Sequence, residues 1–157
     1  MQVEINEFVG SLIISGESVI LIHRDSVRKV YKSRNWVSNL KKDGYKGEIY
    51  FLKKYKSPMF VELIDEKDHR LEKLGEASGS CFKFTKTDGM KDWLKKLSKE
   101  LDRLEIAHGD INPVNILESG DSYKLVDFTT TREKSDERYK KAKEKDKKDI
   151  EKWLNSL

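Results

Sequence analysis

The sequence has little cysteine, a modest apolar content and no long hydrophobic run. A single cysteine, Cys81, among 157 residues excludes an intramolecular disulfide and a cysteine-rich zinc site. No apolar stretch approaches the roughly 20 residues that a transmembrane helix needs, which excludes a membrane-spanning protein. Apolar residues make up only 36% of the chain, yet aromatic residues make up 10%, and this favours a folded core over a disordered chain.

The charge is nearly balanced, because 32 lysines and arginines oppose 28 acidic residues and leave a net charge of +4. Such an excess favours phosphate-rich partners, but nucleic-acid binding usually needs the positive charge on one face. Residues 140–148 interleave lysines with acidic residues, which predicts a solvated helix face. Residues 1–4 lack the basic-then-apolar pattern of a secretory signal, so we expect a soluble, cytoplasmic protein with one domain over residues 1–157.

The first half of the chain is predicted to be rich in strands. Runs of β-branched residues are separated by polar turns, and early glycines predict an opening hairpin. His23 and His69 adjoin these turns and are expected at the surface. The predicted elements are strands at 19–22 and 27–31, a short helix at 47–54, and strands at 60–64 and 69–74.

The second half is predicted to be mainly helical. Residues 75–79 read G-E-A-S-G, a stretch of mostly small residues, and make the best hinge between two lobes. Apolar residues then recur at spacings of three and four, which predicts one face of a long helix that Asp88 is placed to cap. A hairpin over 114–126 and a terminal helix with the same apolar spacing complete an α+β chain. The long helix carries Met90, Trp93, Leu94, Leu97, Leu101 and Leu104, and the terminal one Ile150, Trp153, Leu154 and Leu157.

Three separated segments carry polar residues suited to phosphate chemistry. Residues 108–115 read H-G-D-I-N-P-V-N, residues 126–128 read V-D-F, and residues 27–30 read V-R-K-V with Glu48 following. In this order and spacing the sequence resembles the protein-kinase superfamily, whose catalytic loop reads H-x-D-x-x-x-x-N and whose D-F-G follows a short hairpin. The resemblance extends from the first hairpin to Phe128.

The resemblance implies that five residues act in ATP-dependent phosphate transfer. Asp110 would accept or orient the proton of the attacking hydroxyl. Asn115 and Asp127 would supply oxygen ligands to Mg²⁺ or Mn²⁺. Lys29 would bind the α- and β-phosphates while an ion pair with Glu48 holds it in place.

The resemblance also places the adenine of ATP at the hinge, residues 71–75. Leu71 would be the gatekeeper-like residue. The carbonyl of Glu72 and the amide of Leu74 would meet the adenine edge, because an extended backbone offers an acceptor and a donor at a fixed spacing.

Two assignments stay open. Lys32 is the rival of Lys29, although the apolar neighbours of Lys29 in its strand favour Lys29. In the family, an aspartate of a later helix accepts hydrogen bonds from the backbone of the catalytic loop. Asp149 is the candidate here, with Asp146 as its neighbour, unless both are surface charges.

His108 is expected to be structural rather than a proton donor.

Several positions depart from the family's pattern. Gly109 replaces the arginine that reads activation-loop phosphorylation, and this H-G-D form resembles RIO kinases, the small KEOPS-complex kinase and small-molecule kinases. Thr129 replaces the D-F-G glycine, and Gly10 and Gly16 do not have the spacing of a G-x-G-x-x-G loop. About 30 residues follow Asp127 and no A-P-E appears, as in compact bacterial effector kinases.

We therefore expect a two-lobed minimal protein-kinase-like fold of the α+β class. A β-rich N-lobe (about 1–74), a hinge (about 71–79) and a short, truncated helical C-lobe (about 80–157) would form it. The expected activity is that of an atypical Ser/Thr protein kinase that uses ATP, because the chain has no room for the insertion with which small-molecule kinases bind substrate. The alternatives are a small-molecule kinase and a pseudokinase or partner-regulated nucleotide-binding module.

The resemblance also implies partners. We expect a protein substrate, and an activating protein that docks near residues 140–148, where the helices of a longer C-lobe are missing. Neither a membrane nor a nucleic acid is expected as a partner. Secretion into a host cell as an effector is the alternative to a cytoplasmic location.

Overall fold

The structure is a computed structural model that describes residues 8–14, 18–31 and 45–157. Its helices are α1 (Tyr45–Lys54), α2 (Met90–Leu104) and α3 (Tyr139–Ser156), and one 3₁₀ turn covers Pro113–Asn115. Its strands are β1 (Phe8–Ile14), β2 (Ser18–His23), β3 (Ser26–Tyr31), β4 (Leu63–Asp65), β5 (Arg70–Glu72), β6 (Ile106–Ala107), β7 (Ile116–Ser119), β8 (Ser122–Leu125) and β9 (Arg132–Glu133). Lys32 and Gly16 lie outside the described residues.

Strands β1 to β5 form one antiparallel sheet in the order β1-β2-β3-β5-β4. The β-branched residues of β2 and β3 suit such a pleated surface. The register places Val27 of β3 opposite Leu71 of β5, so the end of β5 lies beside the strand that carries Lys29. The predicted helix and strands are present, but two strands are shorter than predicted: β4 begins at Leu63 rather than at 60, and β5 covers only Arg70–Glu72 rather than 69–74.

The segment after β5 leaves the sheet and pairs with β7. The amide of Gly75 donates to the carbonyl of Glu118 at 2.8 Å, and the amide of Ser78 donates to the carbonyl of Ile116 at 2.8 Å. A Cβ on Gly75 would lie 2.9 Å from the Cβ of Glu118, which explains a glycine at this position. The small residues of the expected hinge therefore let two backbones approach closely.

The core of the second half forms around α2. Its apolar stripe is buried as the spacing predicts, with Met90, Leu94 and Leu97 fully covered. Helix α3 packs on α2 and β6, and the indole of Trp153 donates to the carbonyl of Ile111 at 3.0 Å. Helix α3 is thereby attached to the loop that precedes the 3₁₀ turn. None of the described helices is long and apolar enough to cross a membrane.

Two local predictions are wrong. Asp88 does not cap α2, because Gly89, with a φ of 68°, stands directly before the helix and no side chain caps it. The carbonyl of Asp88 instead accepts a hydrogen bond from the hydroxyl of Tyr123 at 2.8 Å. His23 and His69 are not at the surface, since only 4% and 0% of them are exposed.

Candidate active site

A buried ion pair joins β3 to α1. The ammonium of Lys29 lies 2.9 Å from Oε1 and 3.0 Å from Oε2 of Glu48, with side-chain exposures of 12% and 0%. Burial alone would raise the pKa of Glu48, but Lys29 and then His69 outweigh it and hold that pKa far below its ordinary value. Burial alone would lower the pKa of Lys29, but Glu48 and Asp127 outweigh it and raise that pKa. Both groups are therefore charged at neutral pH.

The carboxylate of Glu48 has two further partners. The Nε2 of His69 lies 2.6 Å from Oε1, and the backbone amide of Phe128 donates to Oε2 at 2.7 Å. Because the carbonyl of His69 also accepts the amide of Lys29, at 3.3 Å, His69 contacts both members of the ion pair. Sequence reasoning missed His69. Only an indirect argument could have found it: if Glu48 is fully buried, its carboxylate needs several hydrogen-bond donors, and a histidine is one candidate.

Asp127 lies at the edge of this network. Its Oδ1 is 3.9 Å from the ammonium of Lys29 and accepts a hydrogen bond from the hydroxyl of Thr129 at 2.7 Å. The backbone of Asp127 is left-handed, with a φ of 63°. The next side chain, Phe128, packs in the core against Phe60 with ring centroids 4.9 Å apart. A buried Phe128 therefore fixes the partly exposed Asp127 beside Lys29.

Asp110 is held by two side-chain amides. The Nδ2 of Asn112 donates to Oδ1 at 3.0 Å, and the Nδ2 of Asn115 donates to Oδ2 at 3.0 Å and to the backbone carbonyl at 2.9 Å. These bonds fix the orientation of the carboxylate. They also turn the Oδ1 of Asn115 away from Asp110, which leaves that oxygen for another ligand.

His108 connects the loop that carries Asp110 (residues 108–112, the Asp110 loop) to the segment before Asp127. Its Nδ1 accepts the amide of Asp110 at 3.2 Å, so the proton of a neutral ring is on Nε2. Nε2 lies 2.9 Å from the carbonyl of Val126, which accepts that proton. With both ring nitrogens used, His108 is a structural residue, as expected.

The aspartate that holds the loop backbone is Asp146, and the choice of Asp149 is wrong. Asp146 accepts the amide of His108 at 2.7 Å and that of Gly109 at 2.8 Å, and is 2% exposed. Burial raises the pKa of Asp146, against the opposing effect of these donors. Asp149 pairs instead with Lys145 at the surface, at 2.6 Å. The signal was present, because Asp146 precedes Ile150 by four residues and so lies on the apolar face.

Gly109 is required by the close approach of Thr130. Its φ is 87°, and a Cβ there would lie 2.8 Å from the carbonyl oxygen of Thr130. The hydroxyl of Thr130 also donates to the carbonyl of His108 at 2.9 Å. An arginine, as in the H-R-D form, does not fit without moving this segment.

The expected adenine contacts lie where β5 ends. Leu71 belongs to the core and is 4% exposed, and Leu74 packs against the core. The carboxylate of Glu72 is occupied, because it accepts the ammonium of Lys124 at 2.6 Å and the amide of Glu62 at 2.8 Å. Glu72 is thus held by its side chain, while its backbone continues into the segment that pairs with β7.

The described residues contain no cluster of three or more histidine, cysteine, aspartate or glutamate side chains that could hold a metal ion. The two expected metal ligands, Asn115 and Asp127, offer one amide and one carboxylate. This donor set suits Mg²⁺ or Mn²⁺ only together with phosphate oxygens, since Mg²⁺ typically takes one or two carboxylates plus substrate phosphates. The site therefore fits a metal that binds with a nucleotide.

Comparisons with known proteins bear on the fold. No protein-family model matches the sequence, and no curated protein matches it. Among solved structures, the chain is similar to the Rio2 kinase of Chaetomium thermophilum, described as an ADP/Mg²⁺-phosphoaspartate complex, with a TM-score of 0.69 and 17% identity. The similarity covers 91% of this chain and 53% of that one, so the chain spans about half the length of the Rio2 chain. The expected protein-kinase-like fold of the α+β class is confirmed.

Proposed function

We propose that the chain is an ATP-dependent phosphotransferase, and specifically an atypical Ser/Thr protein kinase. One observation carries the proposal: Lys29 is paired with buried Glu48 and lies 3.9 Å from Asp127, although the three come from separate elements. A lysine ammonium held by one carboxylate and close to a second, which could bind a metal ion, suits the stabilisation of phosphate oxygens in phosphoryl transfer.

Each residue would have a defined task. Lys29 would contact the α- and β-phosphates, and Asn115 and Asp127 would hold Mg²⁺ or Mn²⁺. The bound metal would supply positive charge to the phosphate oxygens. The carboxylate of Asp110, oriented by two amides, would accept or orient the proton of the acceptor hydroxyl. That the Rio2 neighbour was solved with ADP and Mg²⁺ supports this choice of ligands.

The adenine would lie beside the segment that follows β5. The carbonyl of Glu72 and the amide of Leu74 would meet its edge. The ion pair between Glu72 and Lys124 supports the assignment, because it attaches the end of β5 to the β7–β8 hairpin and so fixes the backbone at this point.

A second candidate is a nucleotide-binding module without phosphate transfer. The observation that favours it is the Thr129 hydroxyl, which donates to Oδ1 of Asp127 at 2.7 Å and so occupies an oxygen that the metal needs. Replacing Thr129 with glycine would remove the hydroxyl donor and leave only the weaker bond from the backbone amide of residue 129, at 3.4 Å. Under this second candidate, Thr129→Gly raises Mg-ATP affinity and introduces transfer that the wild type lacks.

The test combines binding and transfer. The purified chain is titrated with ATP with and without Mg²⁺ in a thermal-shift assay, then incubated with labelled ATP and casein. We expect Asp127→Ala to lose Mg-ATP binding and Asp110→Ala to keep it but lose transfer, because Asp127, unlike Asp110, would contact the metal in the ground state. Binding without transfer by the wild type would support the second candidate, and no binding would refute both.

If the chain phosphorylates itself, the chemical stability of the phosphate shows which type of side chain accepts it. Phosphoserine and phosphothreonine resist acid and hydroxylamine, whereas an acyl phosphate on aspartate is cleaved by hydroxylamine. The Rio2 neighbour is described with a phosphoaspartate, so this distinction matters here. Hydroxylamine-labile phosphate as the only product would contradict a Ser/Thr kinase.

A further inference from the structure

A concave pocket of about 570 Å³ lies between the Asp110 loop and α3. Gly109 and Thr130 contribute to its wall. Its charged side chains are five cations and one anion: Arg132, Arg138, Lys141, Lys145, Lys148 and Glu144. The segment 140–148 is helical and largely exposed, as predicted, and several of its residues also line this pocket.

Two of these cations have carboxylate partners of their own. Arg138 pairs with Asp136 at 3.0 Å, and Lys145 pairs with Asp149 at 2.6 Å. Lys141 and Lys148, by contrast, form no ion pair with any residue that the structure describes. The two lysines of the pocket that form no such ion pair therefore both lie on α3, with Glu144 between them.

The spacing of Lys141 and Lys148 suits a peptide in the polyproline II conformation. Seven residues along a helix make nearly two turns, so both side chains are on one face and about 10 Å apart. The polyproline II conformation has three residues per turn and rises about 3.1 Å per residue, so its side chains three residues apart lie on one side and about 9 Å apart. A peptide with acidic residues at that spacing can contact both lysines at once.

The pocket adjoins the residue that would orient the acceptor hydroxyl. Gly109 lines the pocket and is bonded directly to Asp110, so their Cα atoms are about 3.8 Å apart. A peptide that fills the pocket therefore lies close to the backbone of the residue proposed to orient the acceptor hydroxyl.

We propose that this pocket binds an acidic segment of the acceptor protein, with carboxylates on Lys141 and Lys148 and the acceptor hydroxyl next to Asp110. This rests on the proposed function, whose substrate class it names. An acidic peptide fits better than a single-stranded nucleic acid, because none of the described residues that line the pocket is aromatic and such strands bind largely by stacking on aromatic rings.

A binding experiment tests the pocket without any need for catalysis. The probe is a fluorescein-labelled nonapeptide with a central serine flanked by glutamates, and its partner peptide has glutamines instead. We expect only the glutamate peptide to bind, and Lys141→Glu with Lys148→Glu to weaken its binding by at least about tenfold. The matched control is Lys95→Glu with Lys99→Glu on α2, which changes the net charge equally and affects two exposed lysines outside the pocket.

Three outcomes would overturn the proposal. They are equal binding of the two peptides, equal weakening by the two double variants, and tighter binding of a nine-nucleotide oligouridylate that Lys141→Glu with Lys148→Glu abolishes. The last outcome would make the pocket a nucleic-acid site. An unchanged thermal shift with Mg-ATP shows that each double variant is folded.

A transfer assay separates this proposal from the proposed function. We expect the pocket variant to raise the KM for the glutamate peptide while the KM for ATP stays as in the wild type. Transfer at equal rates to the glutamate and glutamine peptides would refute the acidic-segment proposal and leave the kinase function intact. Selective binding of the glutamate peptide without any transfer would refute the kinase function and leave the acidic-peptide site.

Discussion

His69 and Glu48 meet inside the protein, with Nε2 and Oε1 2.6 Å apart and both side chains fully covered. They belong to separate elements, since His69 directly precedes β5 and Glu48 lies in α1. The contact gives the ion pair of Lys29 a third member, which neither charge patterning nor the kinase resemblance indicates.

Replacing His69 tests how far this contact supports the ion pair. We expect His69→Ala to lower the free energy of unfolding by about 2–3 kcal/mol, because a buried charged group loses a hydrogen bond. His69→Gln should recover part of this loss, since its amide can reach Oε1. Urea denaturation measures both. A His69→Ala protein as stable as the wild type would show that Lys29 and Phe128 suffice.

The loss of stability caused by Glu48→Gln should depend on pH. Folding lowers the pKa of Glu48, so its stabilising contribution is complete above the ordinary value of about 4.3 and is lost as the pH falls through the lowered value. At pH 7 we expect Glu48→Gln to cost about 3–5 kcal/mol, because Lys29 loses its buried partner. The difference from the wild type should shrink below about pH 4.

Urea denaturation of both proteins at pH 7, 5 and 3.5 measures this difference. Subtracting the two curves removes the carboxylates that titrate alike in both. A difference that is constant over this range would mean that folding leaves the pKa of Glu48 unchanged.

Gly109→Ala should lower the free energy of unfolding more than Gly120→Ala does. Both glycines have a positive φ, but a Cβ on Gly120 would meet nothing within 4 Å, whereas one on Gly109 would lie 2.8 Å from the Thr130 carbonyl. We expect about 1 kcal/mol for the backbone strain of Gly120→Ala. Gly109→Ala should cost about 2 kcal/mol or more and should also slow phosphate transfer, because it moves the Asp110 loop. Equal losses of stability would contradict the close approach of Thr130.

Asp146→Asn and Asp149→Asn form a matched pair on one helix. Asp146 accepts two backbone amides, so its change leaves at least one amide of the Asp110 loop without an acceptor. For Asp146→Asn we expect the free energy of unfolding to fall by about 1–3 kcal/mol and the rate of phosphate transfer to fall strongly. Asp149→Asn removes only a surface ion pair and should cost less than about 1 kcal/mol. Thermal unfolding and a transfer assay compare them, and a larger effect of Asp149→Asn would reverse the assignment.

Periodicity and motif order predicted much of this architecture. The stripe of α2 follows from apolar spacing alone, and the meeting of Lys29 with Glu48 follows from the resemblance. Asp146 was missed because only apolar residues were counted on the α3 stripe, although a buried polar residue can share that face. The burial of His69 depends on β5 pairing with β3, which no local pattern reveals.

The attachment of the Asp110 loop to α3 has a consequence for synthesis of the chain. The network of Lys29, Glu48 and His69 is complete in sequence long before the ribosome reaches α3. The loop, however, needs Trp153, which is added 42 residues after Ile111, or about 2–8 s later at ~5–20 residues per second. A nascent chain can thus pair Lys29 with Glu48 while its Asp110 loop still lacks the helix that holds it.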